Sequence, residues 1–229
     1  MSSSRCAVVL AVLSLLSPAG CKKREPVDTS KAELGGTYTI GSATDATTGS
    51  PYKGTALLTK KSGFYTIDWK VDGASPYAGV ALQRGTVLGA GWGKGGGAYG
   101  VVVYEIDGGT LRGTRVMGGS DFVGTENLEG PASLNGVYTI ASATSPNGKG
   151  YTGQVTISNA GAAYKVEWKL PNDTHSGVAV RKGNLLIVGW GQGGTGAGVV
   201  VYTHSATTLT GQWAVPAGAL MGTEVLTLR

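Results

Sequence analysis

Few side chains in this sequence could take part in chemistry. His175 and His204 are the only histidines. A zinc site or a Ser-His-Asp triad would have to be assembled around them from residues scattered along the chain. A hydrolase using either histidine is therefore the weakest hypothesis. The sequence predicts a protein that is not an enzyme and that has no metal site and no cofactor.

One acidic residue type recurs in the same local sequence. Glu126 and Glu224 each end a Gly-Thr-Glu tripeptide. Two such carboxylates could act as an acid–base pair, but they belong to different parts of the chain. We expect each one to accept from a backbone donor or to form an inward salt bridge near a closing strand.

Two glycine-rich segments have the G-x-G-x-x-G spacing of dinucleotide-binding sites: Gly91-Trp-Gly-Lys-Gly-Gly96 and Gly189-Trp-Gly-Gln-Gly-Gly194. Such sites need a helix after the glycines, because its N-terminus holds the pyrophosphate. A valine-rich strand pattern follows each segment instead. The pattern therefore indicates flexible hairpin connections at the rim of a β-structure.

The tryptophans are the best candidates for a binding site. Two of them, Trp69 and Trp168, lie in the middle of alternating strands and are expected in the core. Trp92 and Trp190 end a strand beside a glycine-rich loop, where a large ring can line the mouth of a cavity. Trp213 has no tryptophan counterpart, since Arg115 stands at the matching position. We predict Trp92, Trp190 and Trp213 as contacts for a ligand or partner.

These residues are placed by an internal duplication. Gly36-Thr-Tyr-Thr-Ile40 returns as Gly136-Val-Tyr-Thr-Ile140, and Gly100-Val-Val-Val-Tyr104 returns as Gly198-Val-Val-Val-Tyr202. The offset changes only from 100 to 98 along the unit. Each copy of roughly 90 residues can form its own small core. The predicted domains are residues 36–130 and residues 131–229.

Each copy has the pattern of a β-meander. Phe64–Val71 alternates between apolar and polar residues, as a half-buried strand does. Further short strands are expected at Thr37–Ser42, Gly54–Lys60, Tyr77–Gln83, Thr86–Trp92, Gly100–Ile106, Thr110–Val116 and Val123–Leu128. The prediction is all-β, with two tandem eight-stranded antiparallel up-and-down barrels of lipocalin-like form and no helix after the signal peptide. The alternative, one transmembrane barrel, needs longer strands with an apolar outer band.

Each repeat resembles a family of small exported bacterial β-rich domains, some of which are labelled fibronectin-binding. The residues that match its pattern are Tyr38, Tyr65, Trp69, Tyr104, Gly124-Thr-Glu126 and, in the second copy, Tyr138, Tyr164, Trp168, Tyr202, Trp213, Gly222-Thr-Glu224. Arg115 stands where the family pattern has a tryptophan. The resemblance implies no catalytic residue.

The N-terminus predicts export and a lipid anchor. Arg5 precedes an apolar run that is too short to span a bilayer. Ala19-Gly20-Cys21 then resembles a bacterial lipobox, which implies that residues 1–20 are a signal peptide and that Cys21 is acylated. An ordinary secretory signal with a chance cysteine is the alternative. Residues 21–35 then form the lipidated cysteine and a polar tether.

The distribution of charged residues bears on whether the protein binds nucleic acid. The formal net charge is +5, but residues 36–130 balance eight basic against eight acidic residues. No basic face with interleaved aromatics emerges, so no nucleic-acid partner is expected.

The leading hypothesis is a non-enzymatic, lipid-anchored envelope protein that binds a protein or a small apolar ligand. Lys22 after the cysteine favours the outer membrane. The alternative is an envelope enzyme inhibitor that presents the Gly93–Gly100 and Gly191–Gly198 hairpins. Oligomeric state stays open.

Overall fold

The computed structural model describes residues 32–94, 97–192, 197–216 and 220–229. The strands are β1 (Gly36–Thr44), β2 (Gly54–Lys60), β3 (Tyr65–Val71), β4 (Tyr77–Arg84), β5 (Val87–Gly93), β6 (Tyr99–Asp107), β7 (Thr110–Met117), β8 (Gly124–Glu129), β9 (Gly136–Thr144), β10 (Gln154–Ala160), β11 (Ala163–Lys169), β12 (Thr174–Lys182), β13 (Leu185–Gln192), β14 (Ala197–Ser205), β15 (Thr208–Ala214) and β16 (Gly222–Leu228). Within these ranges no helix is long and apolar enough to cross a membrane. The predicted signal peptide, Cys21 and the tether up to residue 31 lie outside the described residues.

The predicted fold class is confirmed. All sixteen strands are antiparallel and close into two eight-stranded barrels. The alternation read from the sequence holds in β3, where Tyr65, Ile67 and Trp69 are buried while Asp68 and Lys70 are exposed. Such period-two burial places one face of each strand in a barrel interior.

The division of strands between the barrels differs from the predicted one. Strands β6 to β13 form one barrel, in which β13 pairs with β6; we call it the continuous barrel. Strands β1 to β5 join β14 to β16 in the other, which we call the split barrel. The expectation of one barrel in residues 36–130 and one in residues 131–229 is therefore wrong. The boundary at residue 130 falls between β8 and β9, inside the continuous barrel.

The duplication itself explains why this was missed. Strands β6 and β14 share the central run Gly-Val-Val-Val-Tyr, so the sequence offers β5 two similar partners. It pairs with β14, and Trp92 lies opposite Gly198. The glycine-rich segments after β5 and β13 thus connect one barrel to the other and are not hairpins. Gly95, Gly96 and residues 193–196 lie outside the described residues.

Apolar side chains on the outer faces hold the two barrels together. Each barrel interior has its own core, and a third cluster lies between the barrels. This third cluster includes Val101 and Val103 of β6 and Val199 and Val201 of β14, all buried. Both faces of these strands are apolar because both are covered. Burying an aliphatic side chain contributes about 1.5–3 kcal/mol, so this layer favours the two-barrel arrangement.

The two barrels are in close backbone contact near the segments where the chain passes from one to the other. A Cβ atom on Gly91 would lie 2.1 Å from the Gly100 carbonyl oxygen and 3.2 Å from Gly189 Cα. A Cβ atom on Gly189 would lie 2.1 Å from the Gly198 carbonyl oxygen. Because glycine has no Cβ atom, the backbones can approach closely at both positions.

Candidate functional site

One end of the split barrel contains an aromatic pocket of about 310 Å³. Five rings line it: Tyr52, Trp69, Tyr77, Trp92 and Trp213. Trp69 and Tyr77 are stacked with their ring centroids 5.3 Å apart, and the Tyr77 and Trp92 centroids are 5.4 Å apart. Trp213 meets both Trp92 and Tyr52 edge-on, at 6.3 and 6.4 Å. The volume lies at the small end of the range for small-molecule pockets.

The site is assembled from both halves of the sequence. Tyr52, Trp69, Tyr77 and Trp92 come from the first repeat, on or just before β2 to β5. Strands β15 and β16 of the second repeat supply Trp213 and Glu224. The pairing of β5 with β14 and of β16 with β1 brings these two sets together.

Glycines on neighbouring strands make room for the large rings. A Cβ atom on Gly198 would lie 2.2 Å from Cζ2 of Trp92, and one on Gly222 would lie 2.2 Å from Cε2 of Trp213. Trp213 is directly opposite Gly222 across the β15–β16 pair. Each ring therefore packs directly against a glycine of the adjacent strand, in space that any larger residue would occupy.

Glu224 is the acidic group of the pocket. Glu224 is only 3% exposed. Oε2 accepts a hydrogen bond of 3.1 Å from the Tyr202 hydroxyl, which itself accepts one of 3.4 Å from Trp69 Nε1. Oε1 has no hydrogen-bond partner, and neither has Nε1 of Trp213. The pocket wall thus holds a buried acceptor and a buried donor that make no hydrogen bond, and the Tyr52 side chain is a neighbour of both.

The burial of this carboxyl changes its ionisation. Burial raises the pKa of Glu224 to about 7, although the neighbouring donor groups of Tyr202, Tyr52 and Trp69 favour the charged form. Burial, with the Glu224 charge as the second cause, also raises the pKa of Tyr52 and of Tyr77. The pocket therefore contains a carboxyl that keeps its proton to a higher pH than a solvent-exposed glutamate does.

Two residues of opposite charge, Lys94 and Asp45, line the pocket near its mouth. The Lys94 ammonium lies 5.0 Å from the Tyr77 ring centroid and 5.8 Å from that of Trp92. Asp45 also lines the opening. Among the described residues, neither Lys94 nor any other cation forms an ion pair with Glu224.

The matching part of the continuous barrel is arranged differently. Glu126 is fully buried and accepts hydrogen bonds from Tyr104, Tyr151 and Trp168 Nε1, the last at 2.9 Å. The guanidinium of Arg115 lies 3.5 Å from Glu126 Oε2. The predicted inward salt bridge thus exists for Glu126, whereas Glu224 has none among the described residues.

Arg115 also contacts the aromatic rings of this barrel. Its guanidinium carbon lies 5.1 Å from the Tyr151 ring centroid and 5.2 Å from that of Trp190. The side chain is 11% exposed. Tyr151, Trp190 and Glu126 are the repeat counterparts of Tyr52, Trp92 and Glu224. Arg115 therefore fills the space that corresponds to the aromatic pocket.

The structure separates the three predicted contact residues. Trp92 and Trp213 line the same pocket, while Trp190 lies in the continuous barrel beneath Arg115 and beside His175, with ring centroids 5.2 Å apart. Trp190 is only 3% exposed. Trp69, expected in the core, is buried and also lines the pocket. Tyr52 and Tyr77 were not predicted as site residues. The signal for them was that both are aromatic and flank strands near Trp69.

The two histidines lie in different barrels and do not form one site. His175 is in the continuous barrel, where its Nε2 lies 3.3 Å from Asp173 Oδ2. His204 is in the split barrel, and its Nε2 lies 2.8 Å from the Ala206 carbonyl oxygen. Burial lowers the pKa of His175. In the described ranges, no three His, Cys, Asp or Glu side chains are grouped as metal ligands would be.

No protein-family model matches the sequence, and no curated protein or solved structure gives a significant match.

Proposed function

We propose that the protein is a non-enzymatic, lipid-anchored binding protein of the bacterial envelope, and that the split-barrel pocket is its ligand site. The observation that carries the proposal is a pocket of about 310 Å³ whose wall combines aromatic rings with two unpartnered polar atoms, Trp213 Nε1 and Glu224 Oε1. Aromatic rings offer a large contact area, and a few polar groups orient the ligand.

The two barrels have different roles in this proposal. The continuous barrel is a structural support, because Arg115 already occupies its aromatic site and pairs with Glu126. The split barrel keeps the corresponding space open, since Trp213 stands in the place of the arginine. The sequence was duplicated, and only one copy of the site is available to a small molecule.

Anchoring places this pocket near a membrane. The lipobox-like Ala19-Gly20-Cys21 supports acylation of Cys21. Acyl chains contribute about 0.8 kcal/mol for each buried methylene, so two or more anchor a protein stably at the bilayer. Lys22 supports the outer membrane as the location. Fourteen residues, from Lys22 to Gly35, can extend at most about 50 Å.

Native mass spectrometry of protein extracted from its own membrane tests the binding role. We expect a small molecule to co-purify with the wild-type protein and to be lost from Trp213→Arg. Arginine is already accommodated at the matching position of the other barrel, as Arg115. The unfolding temperature of the variant should therefore stay near that of the wild type. If the adduct is absent from the wild type, or equally abundant in the variant, the pocket is not the ligand site.

A further inference from the structure

We propose that the pocket binds a small organic cation, an ammonium compound whose charge lies against Glu224 and whose carbon substituents lie against the aromatic rings. This inference rests on the proposed function, because it names the chemical class of the ligand for the same pocket. Three independent features of the structure lead to it.

The first is a buried acidic group that has no counter-charge. Glu224 is 3% exposed, its Oε1 has no partner, and no cationic side chain of the described residues pairs with it. A buried carboxylate without a cation is costly in a low-dielectric site. A bound ammonium group would supply the missing charge, and the carboxylate would accept its N–H bonds or face its methyl groups.

The second is the set of rings around this carboxyl. Aromatic faces carry partial negative charge and attract cations placed within about 6 Å of the ring centroid. The rings of Tyr52, Trp92 and Trp213 surround the pocket with neighbouring centroids 6.3 and 6.4 Å apart. The exposed Lys94 ammonium already lies over two ring faces at the mouth, 5.0 Å from Tyr77 and 5.8 Å from Trp92. Ring faces and a carboxylate together form the recognised type of site for alkylammonium groups.

The third is the internal comparison that the duplication provides. In the continuous barrel, a cation occupies the equivalent place: the Arg115 guanidinium lies over Tyr151 and Trp190 and 3.5 Å from Glu126. The split barrel has the counterpart rings Tyr52 and Trp92 and the counterpart carboxylate Glu224, but it has Trp213 instead of the arginine. It also has Tyr77 where the continuous barrel has His175. The chain itself therefore shows which chemical group this arrangement of side chains accommodates. The ligand of the split barrel takes the place of the missing guanidinium.

A pair of probes that differ only in charge tests the inference. Choline and 3,3-dimethyl-1-butanol have the same shape, with nitrogen in one and carbon in the other. We would titrate both into the full-length protein and follow tryptophan fluorescence and binding heat. Choline should bind at least about tenfold more tightly than the neutral alcohol. Glu224→Gln, which keeps the side-chain size, should weaken choline binding about tenfold and leave the alcohol unchanged. Trp213→Arg should abolish the binding of both.

The outcomes separate this inference from the proposed function. If the alcohol binds as well as choline and both are lost in Trp213→Arg, the pocket is a ligand site but not a cation site. If choline does not bind, or Glu224→Gln binds it as well as the wild type, the cation inference is overturned. If choline binds Trp213→Arg as well as the wild type, binding occurs elsewhere and both the inference and the proposed function fail.

Discussion

Arg115 and Trp213 hold the same position in the two barrels. Arg115 lies opposite Val102 and Gly124, and Trp213 lies opposite Val200 and Gly222, so their registers are identical within the repeat. One residue places a charge beside a buried glutamate, and the other leaves the equivalent glutamate with a free oxygen. A second difference lies beside it, because the pocket ring Tyr77 has His175 as its counterpart, opposite Trp168 as Tyr77 is opposite Trp69.

The first prediction concerns the closed site. Arg115→Ala leaves Glu126, which is fully buried, without its cation, and we expect the free energy of unfolding to fall by about 3–5 kcal/mol. Arg112 on the same strand is the control, since it forms an ion pair with Asp107 in which both side chains are exposed. Arg112→Ala should cost less than about 1 kcal/mol. Urea unfolding of both variants measures the difference, and equal effects would show that the Arg115–Glu126 pair is not needed for stability.

The second prediction is a pH dependence of stability. Burial raises the pKa of Glu224 from 4.5 to about 7, so the folded protein holds a proton that the unfolded chain releases. Between these two pH values stability should therefore fall as the pH rises, by about 3 kcal/mol in total, and level off above about pH 7. The groups that face this carboxyl are Tyr52, Tyr77 and Tyr202 in the wall and Lys94 and Asp45 at the mouth.

Urea unfolding at a series of pH values tests this, with Glu224→Gln as the control. The variant should lack this component of the pH dependence. The same ionisation predicts that choline binding strengthens as the pH rises through about 7, because the charged carboxylate attracts the cation. A wild-type curve identical to that of Glu224→Gln would contradict the assignment.

The third prediction concerns the division of strands between the barrels. Val87 on β5 lies opposite Thr203 on β14, whereas one barrel per repeat would place it opposite Glu105 on β6. In a chain that starts at residue 22 and so lacks both native cysteines, Val87→Cys with Thr203→Cys should form an internal disulfide. Val87→Cys with Glu105→Cys should not. Intact mass and non-reducing gels distinguish the two, and the reverse result would restore the boundary at residue 130.

The fourth prediction concerns the anchor. Cys21→Ala removes the only acyl acceptor that the lipobox pattern offers, so the protein should move from the membrane fraction to the soluble fraction of the envelope. Cys6→Ala is the control and should leave fractionation unchanged. If Cys21→Ala remains with the membrane in the absence of detergent, the lipid-anchor proposal is wrong.

The sequence predicted the strands and the barrels more fully than their arrangement. Alternation in Phe64–Val71 identified β3 and its inward residues, because a half-buried strand has a period of two. It did not show which barrel each strand joins, since β6 and β14 carry the same Gly-Val-Val-Val-Tyr run and the local pattern does not distinguish them as partners of β5. The available signal was that this run is apolar on both faces, as in a strand covered on both sides.

The candidate site was predicted in part for the same reason. Trp92 and Trp213 were both proposed as contacts, but they belong to different repeats, and only the pairing of β5 with β14 brings them together. Trp190 was predicted on the same grounds as Trp92 and is instead covered by Arg115. Nothing in the local sequence of Glu126 and Glu224 indicates that one is paired and the other free.

The indole N–H signals show whether choline occupies a single open site in the split barrel. The five tryptophans give five such signals in a two-dimensional ¹H–¹⁵N NMR spectrum, which Trp→Phe variants assign. On addition of choline we predict that the signals of Trp69, Trp92 and Trp213 shift with one common dissociation constant, that of Trp213 most because its Nε1 has no partner. The signals of Trp168 and Trp190 should stay in place. A shift of Trp190 equal to that of Trp92, or no shift at any of the five, would contradict a single open site in the split barrel.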